Sequence, residues 1–151
     1  MSRRDQIRMT DDEVARFLEE NSTMTLATIG ADGRPHLTAM WYGMADGHVV
    51  FWSYRPAQKI VNLRRDPRLS VLVEAGATYG DLRGVSITGT GAILEDPDDV
   101  LAIGQLLLER QEPGFAAAAS AAAATAPKRV AVRIDPERVT SWDHRKLGGG
   151  Y

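Results

Sequence analysis

Within seven residues, Ser53-Tyr54-Arg55-Pro56-Ala57-Gln58-Lys59, the chain gathers a hydroxyl, a guanidinium, a carboxamide and an ammonium group around one proline. These are the donors that hold a phosphate. Proline suits the first turn of a helix, where its missing N–H costs nothing. The spacing therefore predicts that Arg55, Gln58 and Lys59 stand at a helix start. Such a terminus offers free N–H groups and a partial positive charge; with Ser53, Arg55 and Lys59 beside it, it forms a phosphate cradle. Lys59 is the informative member, because the helix field opposes a cation in the first turn and so asks for an anion there. Arg64, Arg65 and Arg68 follow, against one acid, Asp66. At the far end of the helix those cations complement the dipole and require no function.

A basic segment also raises nucleic acid. Single-strand binders interleave aromatic rings with positive charge on a sheet face, and Trp41, Tyr42, Phe51, Trp52 and Tyr54 would supply the rings. Yet the chain is formally -2 and has no second basic cluster of that density, so nucleic acid is not expected. Cysteine is absent, which excludes disulfides, thiolate nucleophiles, Cys-ligated zinc and iron–sulfur clusters. Three histidines without carboxylate spacing define no metal site, and no Ser-His-Asp arrangement is found. His36 and His48 abut turns and read as structural or solvent-facing. His144 lies among Trp142, Asp143, Arg145 and Lys146, either a solvated terminus or a segment that edges a ligand site. Tyr79 and Arg83 could also reach a ligand, with Gly84 permitting close approach. The other reading pairs Arg83 with Asp81 at the surface.

These groups need elements to hold them. The length of 151 residues predicts one domain, 1–151. Thr10 and Glu13 have capping-box spacing, with Val14, Phe17 and Leu18 on one face, so an N-terminal helix lies within 1–21. Alternation from Met24 to Ile29, the Asp32-Gly33 turn, a strand over 36–44, the Asp46-Gly47 turn and a strand over 48–54 predict three hairpin-linked strands. Ile60 and Leu63 give the next helix its buried stripe, and Asp66-Pro67 stops it. Strands over 68–76 and through 93 complete a barrel core, 23–94, with Gly84, Gly89 and Gly91 marking bends or close approach. Asp96 as N-cap and Pro97 at the first position open a helix over 96–112. The Ala-rich run 115–127 reads as a helical extension or a variable connection. Residues 128–142 read as a last strand, with Val130, Val132 and Ile134 alternating against Ala131 and Arg133, and the tail follows within 128–151. A helix interrupts these strands rather than alternating with them, so the sheet is not doubly wound. The expected architecture is mainly β: a Greek-key-like split β-barrel with peripheral helices. No apolar run is long enough for a membrane span and no apolar signal core opens the chain, so a cytoplasmic location is expected.

The run from Leu26 to Val73, with 26–36 as the first hairpin and Lys59–Arg68 after the third strand, resembles the core of the pyridoxamine-phosphate-oxidase-like split-barrel flavoproteins. The likeness extends from about Thr23 to Ile93, with weaker echoes beyond. Lys59–Arg68 is similar to the branch that uses the deazaflavin coenzyme F-420. The resemblance implies an FMN-binding split barrel and a homodimer with two cofactors at the subunit interface. It points to Ser53, Arg55, Gln58 and Lys59 for the cofactor phosphate and to Thr38, Ala39, Met40 and Trp41 for the flat ring, the small Ala39 letting the ring approach the backbone. Trp41 equally suits core or interface packing. Tyr79, Arg83, Trp142, His144 and Lys146 are candidates for substrate or second-subunit contacts. The implied activity is hydride transfer between reduced coenzyme F-420 and a small unsaturated or quinone-like acceptor, with the cofactor and no side chain carrying the chemistry. The alternatives are an FMN-dependent oxidoreductase of the same fold and a non-catalytic flavin-, deazaflavin- or haem-binding protein. Classical members oxidise pyridoxine or pyridoxamine phosphate with FMN and oxygen; their C-terminal Arg-Leu signature is replaced here by Ser141–Leu147, so that activity is not expected.

Overall fold

A computed structural model describes residues 2–148. In chain order the elements are α1 (Arg3–Ile7), α2 (Asp11–Glu20), β1 (Thr23–Ile29), β2 (Pro35–Trp41), β3 (Gly43–Ala45), β4 (His48–Tyr54), α3 (Gln58–Arg65), β5 (Arg68–Ala75), β6 (Arg83–Leu94), α4 (Pro97–Gln111), α5 (Ala118–Thr125) and β7 (Arg129–Asp143). Single 3-10 turns sit at Tyr79–Asp81, Ala126–Lys128 and His144–Leu147. The strands form one antiparallel sheet in the order β2-β1-β5-β6-β7-β4-β3.

β2 and β3 are consecutive in the chain yet lie at opposite ends of that order. The sheet curls until its two edges are joined by Tyr42, which gives a split barrel. Where the alternation predicts one strand over 36–44, the structure breaks it at this residue. Tyr42 is buried; its N–H donates to the Ser22 carbonyl (3.0 Å) and its hydroxyl to the Leu18 carbonyl (2.6 Å). Burial pushes its phenol up to about 12, against the opposing Arg110 guanidinium, which lies 5.4 Å from the ring centroid.

Local chemistry accounts for most of the punctuation. Asp46 (φ 49°) and Gly47 (φ 77°) make the β3–β4 turn with both central residues at positive φ, as a two-residue hairpin requires. Thr10 and Glu13 close the expected capping box on α2, and Asp96 accepts from the Asp98 and Asp99 amides to cap α4. A second box at Ser2 and Asp5 opens α1, which the sequence reading does not anticipate. The Ala-rich run is helical over α5, with Ala118 and Ala122 buried.

β7 runs for 15 residues, Arg129–Asp143, close to the expected 128–142, although the polar run Asp135–Arg138 interrupts its apolar alternation. A register shift between Thr88 and Gly89 on β6 absorbs the irregularity opposite Asp135 and Pro136. Residues 149–151, the end of the expected tail, lie outside the described residues, as does residue 1.

Two apolar clusters result. One fills the barrel and includes Leu26, Phe51, Ile60, Val71, Val85, Val132 and Ile134. The other joins Val50 and Ala131 on the outer face to Val100, Ile103 and Leu107 of α4. β4 is thus buried on both faces, as its unbroken apolar run predicts.

Candidate functional site

The β4–α3 junction carries the first group of candidate residues. Ser53 is buried near the end of β4, and the chain turns through an Ala57-to-Tyr54 backbone hydrogen bond into α3. The helix has no side-chain cap and no acid in its first turn. The Gln58 and Lys59 amides have no acceptor among the described residues. Lys59 stands in this uncapped turn, half-buried, with no hydrogen bond or ion pair to any of the described residues. Burial holds its ammonium below the ordinary lysine value.

Two other members of the predicted cradle are engaged elsewhere. The Arg55 guanidinium reaches Glu95 (3.3 Å), which Arg64 also contacts (2.7 Å), and the paired guanidiniums hold the Glu95 carboxyl below its usual range. Gln58 donates to the Asn62 Oδ1 (2.8 Å). Asn62, which sequence reasoning does not single out, is fully buried and donates in turn to the Thr28 Oγ1 (3.0 Å), while Arg65 donates to Asn62 Oδ1 and to the Ile29 carbonyl. This network fixes α3 on β1. Asn62→Ala is expected to cost about 1–3 kcal/mol, because it leaves the Thr28 hydroxyl buried without its partner. Urea unfolding of the variant measures it; a loss below a few tenths of a kcal/mol would show that the network does not anchor the helix.

The second group lies on β2. Thr38 and Met40 are half-buried, whereas Leu37 (63% exposed), Ala39 and Trp41 (57% exposed) face outward. The Thr38 Oγ1 is buried without a hydrogen-bond partner. Ala39, Met40 and Trp41 line a cavity of about 460 Å³, closed by Trp52 of β4, by α4 and α5, and by Arg129 at the start of β7. Arg129 is absent from the sequence-based candidates. The register that sets it opposite Tyr54 brings its guanidinium to 4.1 Å from the Tyr54 ring centroid and 4.3 Å from that of Trp52.

The third group gathers at another end of the barrel. Tyr79 and His144 meet edge to face, centroids 4.5 Å apart, with His144 Nδ1 3.0 Å from the Tyr79 carbonyl. Trp142 packs over Gly84, where a Cβ would strike its ring. Arg83 does not pair with Asp81; it contacts Glu20 (3.5 Å) and lies over the Phe17 ring, because Asp81 instead accepts from Thr78. Lys146 binds Glu13 (2.6 Å) and the Arg8 carbonyl. Of the turn histidines, His36 is half-buried on β2, and His48 lies 3.0 Å from the Asp46 carbonyl.

The structure therefore does not draw all the candidates into one concavity. Thr38 to Trp41 and the start of α3 occupy different walls, linked through β1, which pairs with β2 on one side and carries α3 through Thr28. Arg55 lines a separate depression with Glu95 and Pro97, and Arg83 a small one with Glu13, Asp143 and Arg145.

The profile of the pyridoxamine 5'-phosphate oxidase family matches residues 10–143. The conserved hypothetical protein Rv2991 of Mycobacterium tuberculosis is 45% identical, covering 100% of this chain and 95% of its own, with a TM-score of 0.92. An F420 reductase is 23% identical over 83% of this chain and 94% of its own (TM-score 0.64). An FAD-binding protein of Mesorhizobium loti is 24% identical over 88% and 94% (TM-score 0.65). At such identities the last two bear on the fold, which they share with this chain.

Proposed function

We propose that this chain, which belongs to the pyridoxamine 5'-phosphate oxidase family, is an oxidoreductase that transfers a hydride between reduced coenzyme F-420 and a small unsaturated or quinone-like acceptor. The observation that carries the reading is Lys59, a half-buried cation without a partner among the described residues, in the uncapped first turn of α3. Two features fit a phosphate-bearing planar cofactor. The free α3 amides and Lys59 suit the phosphate. Ala39 leaves the outward face of β2 low enough for a ring to lie against the backbone. Arg55 and Gln58 keep their own partners, so Lys59 and the amides would carry most of the phosphate contact. The likeness of Lys59–Arg68 to the deazaflavin branch supports coenzyme F-420 over FMN.

The exposed stripe of Leu37, Ala39 and Trp41 on β2 supports a homodimer, since a second copy laid on it would cover the apolar face and bring a further wall to the ring site. A bound reduced deazaflavin supplies the hydride. The chain's own residues do the rest: Lys59 neutralises the phosphate, β2 sets the plane of the ring, and Met40 and Trp41 keep water from it. No helix among the described residues is long and apolar enough to cross a membrane.

Titrating the purified protein with coenzyme F-420 and with FMN, followed by ligand fluorescence, tests this. Micromolar binding of coenzyme F-420 is expected, and the reduced form should be consumed faster when quinones or enones are added. Preference for FMN would move the protein to flavin-dependent chemistry. Binding without any acceleration would make it a carrier, and failure to bind either would end the reading.

A further inference from the structure

We infer that the cavity between β2, β4, β7 and the α4–α5 pair is a binding site for a planar, apolar molecule that carries an acidic group, and that Arg129 is its anchor. Three arginines are half-buried among the described residues: Arg83, Arg110 and Arg129. The first two meet carboxylates, Glu20 and Glu19. Arg129 meets none. Its Nε is buried with no hydrogen-bond partner, and its guanidinium is held between the faces of Trp52 and Tyr54. Stacking on two aromatic faces orients the fork and offsets part of its desolvation, but leaves its in-plane N–H donors unused. A guanidinium fixed in that way matches a carboxylate.

The walls set the rest of the ligand. Trp41, Met40, Trp52 and Leu107 line the cavity, and about 460 Å³ lies within the range of small-molecule sites. Trp52 is seated by design of the sequence: Gly104 of α4 lies against its six-membered ring, where any Cβ would collide with it. The tryptophan therefore stays flat beneath the helix and forms a slot wall rather than filling the slot. Flat aromatic walls and one oriented cation select a conjugated or aromatic carboxylic acid over its neutral analogue. Because Ala39, Met40 and Trp41 belong both to this cavity and to the strand assigned to the cofactor ring, the acid would stand beside that ring. That last assignment rests on the function proposed above; binding of the acid does not.

The probe is 2-naphthoate, compared with 2-naphthamide and followed by quenching of tryptophan fluorescence and by calorimetry. The acid is expected to bind roughly tenfold or more tightly than the amide, as a charged hydrogen bond implies. Arg129→Met, which keeps apolar bulk over Trp52, should erase that preference, and Arg129→Lys should keep part of it. Lys59→Met should leave naphthoate binding unchanged. Equal binding of acid and amide to the wild type overturns the assignment, whether or not the Arg129 variants fold. So does a preference that survives Arg129→Met, or naphthoate binding that is lost in Lys59→Met, which would put the acid in the phosphate cradle. Naphthoate binding without coenzyme binding would support this site while sinking the proposed cofactor.

Discussion

Lys59→Met is expected to weaken binding of the phosphate-bearing coenzyme by about 1.5–3 kcal/mol, roughly a 10- to 150-fold rise in Kd, while leaving the protein at least as stable as before. The two halves of this expectation come from one observation. Burial lowers the Lys59 pKa in the folded chain, so the ammonium is worse off folded than unfolded. The resulting penalty is fully present below the lowered pKa, shrinks as pH rises above it, and is gone only above the ordinary lysine value of the unfolded chain. Methionine keeps the stem and removes the charge, and hence the penalty. A residue conserving structure would behave in the opposite way, losing stability when replaced. An anion bound at the α3 start reverses the sign for Lys59: it favours the ammonium and raises the pKa again. Coenzyme affinity should therefore fall as pH rises through the free protein's Lys59 pKa, which lies below the ordinary lysine value, and Lys59→Met should flatten that dependence. Fluorescence titrations across a pH series, paired with urea unfolding, read both halves. An unchanged Kd, or a variant clearly less stable than wild type, would remove Lys59 from the site.

That Lys59 could be picked out from sequence, and Arg129 could not, reflects the range of the forces involved. A cation in a first helical turn is a local conflict, readable from Pro56 and three following residues. So are the Asp46-Gly47 turn, the Thr10–Glu13 box and the Asp96-Pro97 cap, each complete within four residues. Arg129 acquires its meaning only when β4 pairs with β7 and sets Trp52 and Tyr54 around it. Asn62 is similar: its Thr28 partner lies 34 residues away. Arg55 reads as a phosphate ligand until the fold brings Glu95, 40 residues on, within reach. The break between β2 and β3 depends on Tyr42 bonding to Ser22 and Leu18 across the barrel, and nothing in the alternation of 36–44 records it. Fold class survives these omissions because it rests on strand order and turn chemistry. A site does not, because it rests on which side chains meet.

Gly89→Ala is expected to cost about 3 kcal/mol or more, at the upper end of ordinary overpacking. Gly89 sits where the β6–β7 register shifts, and a Cβ there would drive into the Asp135 carbonyl oxygen and come within 3.0 Å of the Pro136 Cα. Both obstacles are backbone of the neighbouring strand, so no side-chain rotation relieves them. Relief requires β7 to move off β6, and that pairing runs from Arg83↔Asp143 to Leu94↔Ala131, interrupted only by the register shift between Thr88 and Gly89. Gly84 offers the contrast: there the added Cβ meets the Trp142 ring, a side chain that can turn aside at smaller cost. Gly89 is not at positive φ, so the expected loss comes from close approach alone and not from backbone strain. Urea unfolding should show a lower midpoint with an unchanged slope, because the surface exposed on unfolding is the same. Coenzyme affinity per folded molecule should stay near wild type, since Lys59 stands on neither strand. A Gly89→Ala protein within about 1 kcal/mol of wild type would mean that the β7 bulge shifts to accommodate the methyl, and that this register is softer than the packing of Asp135 and Pro136 against Gly89 implies.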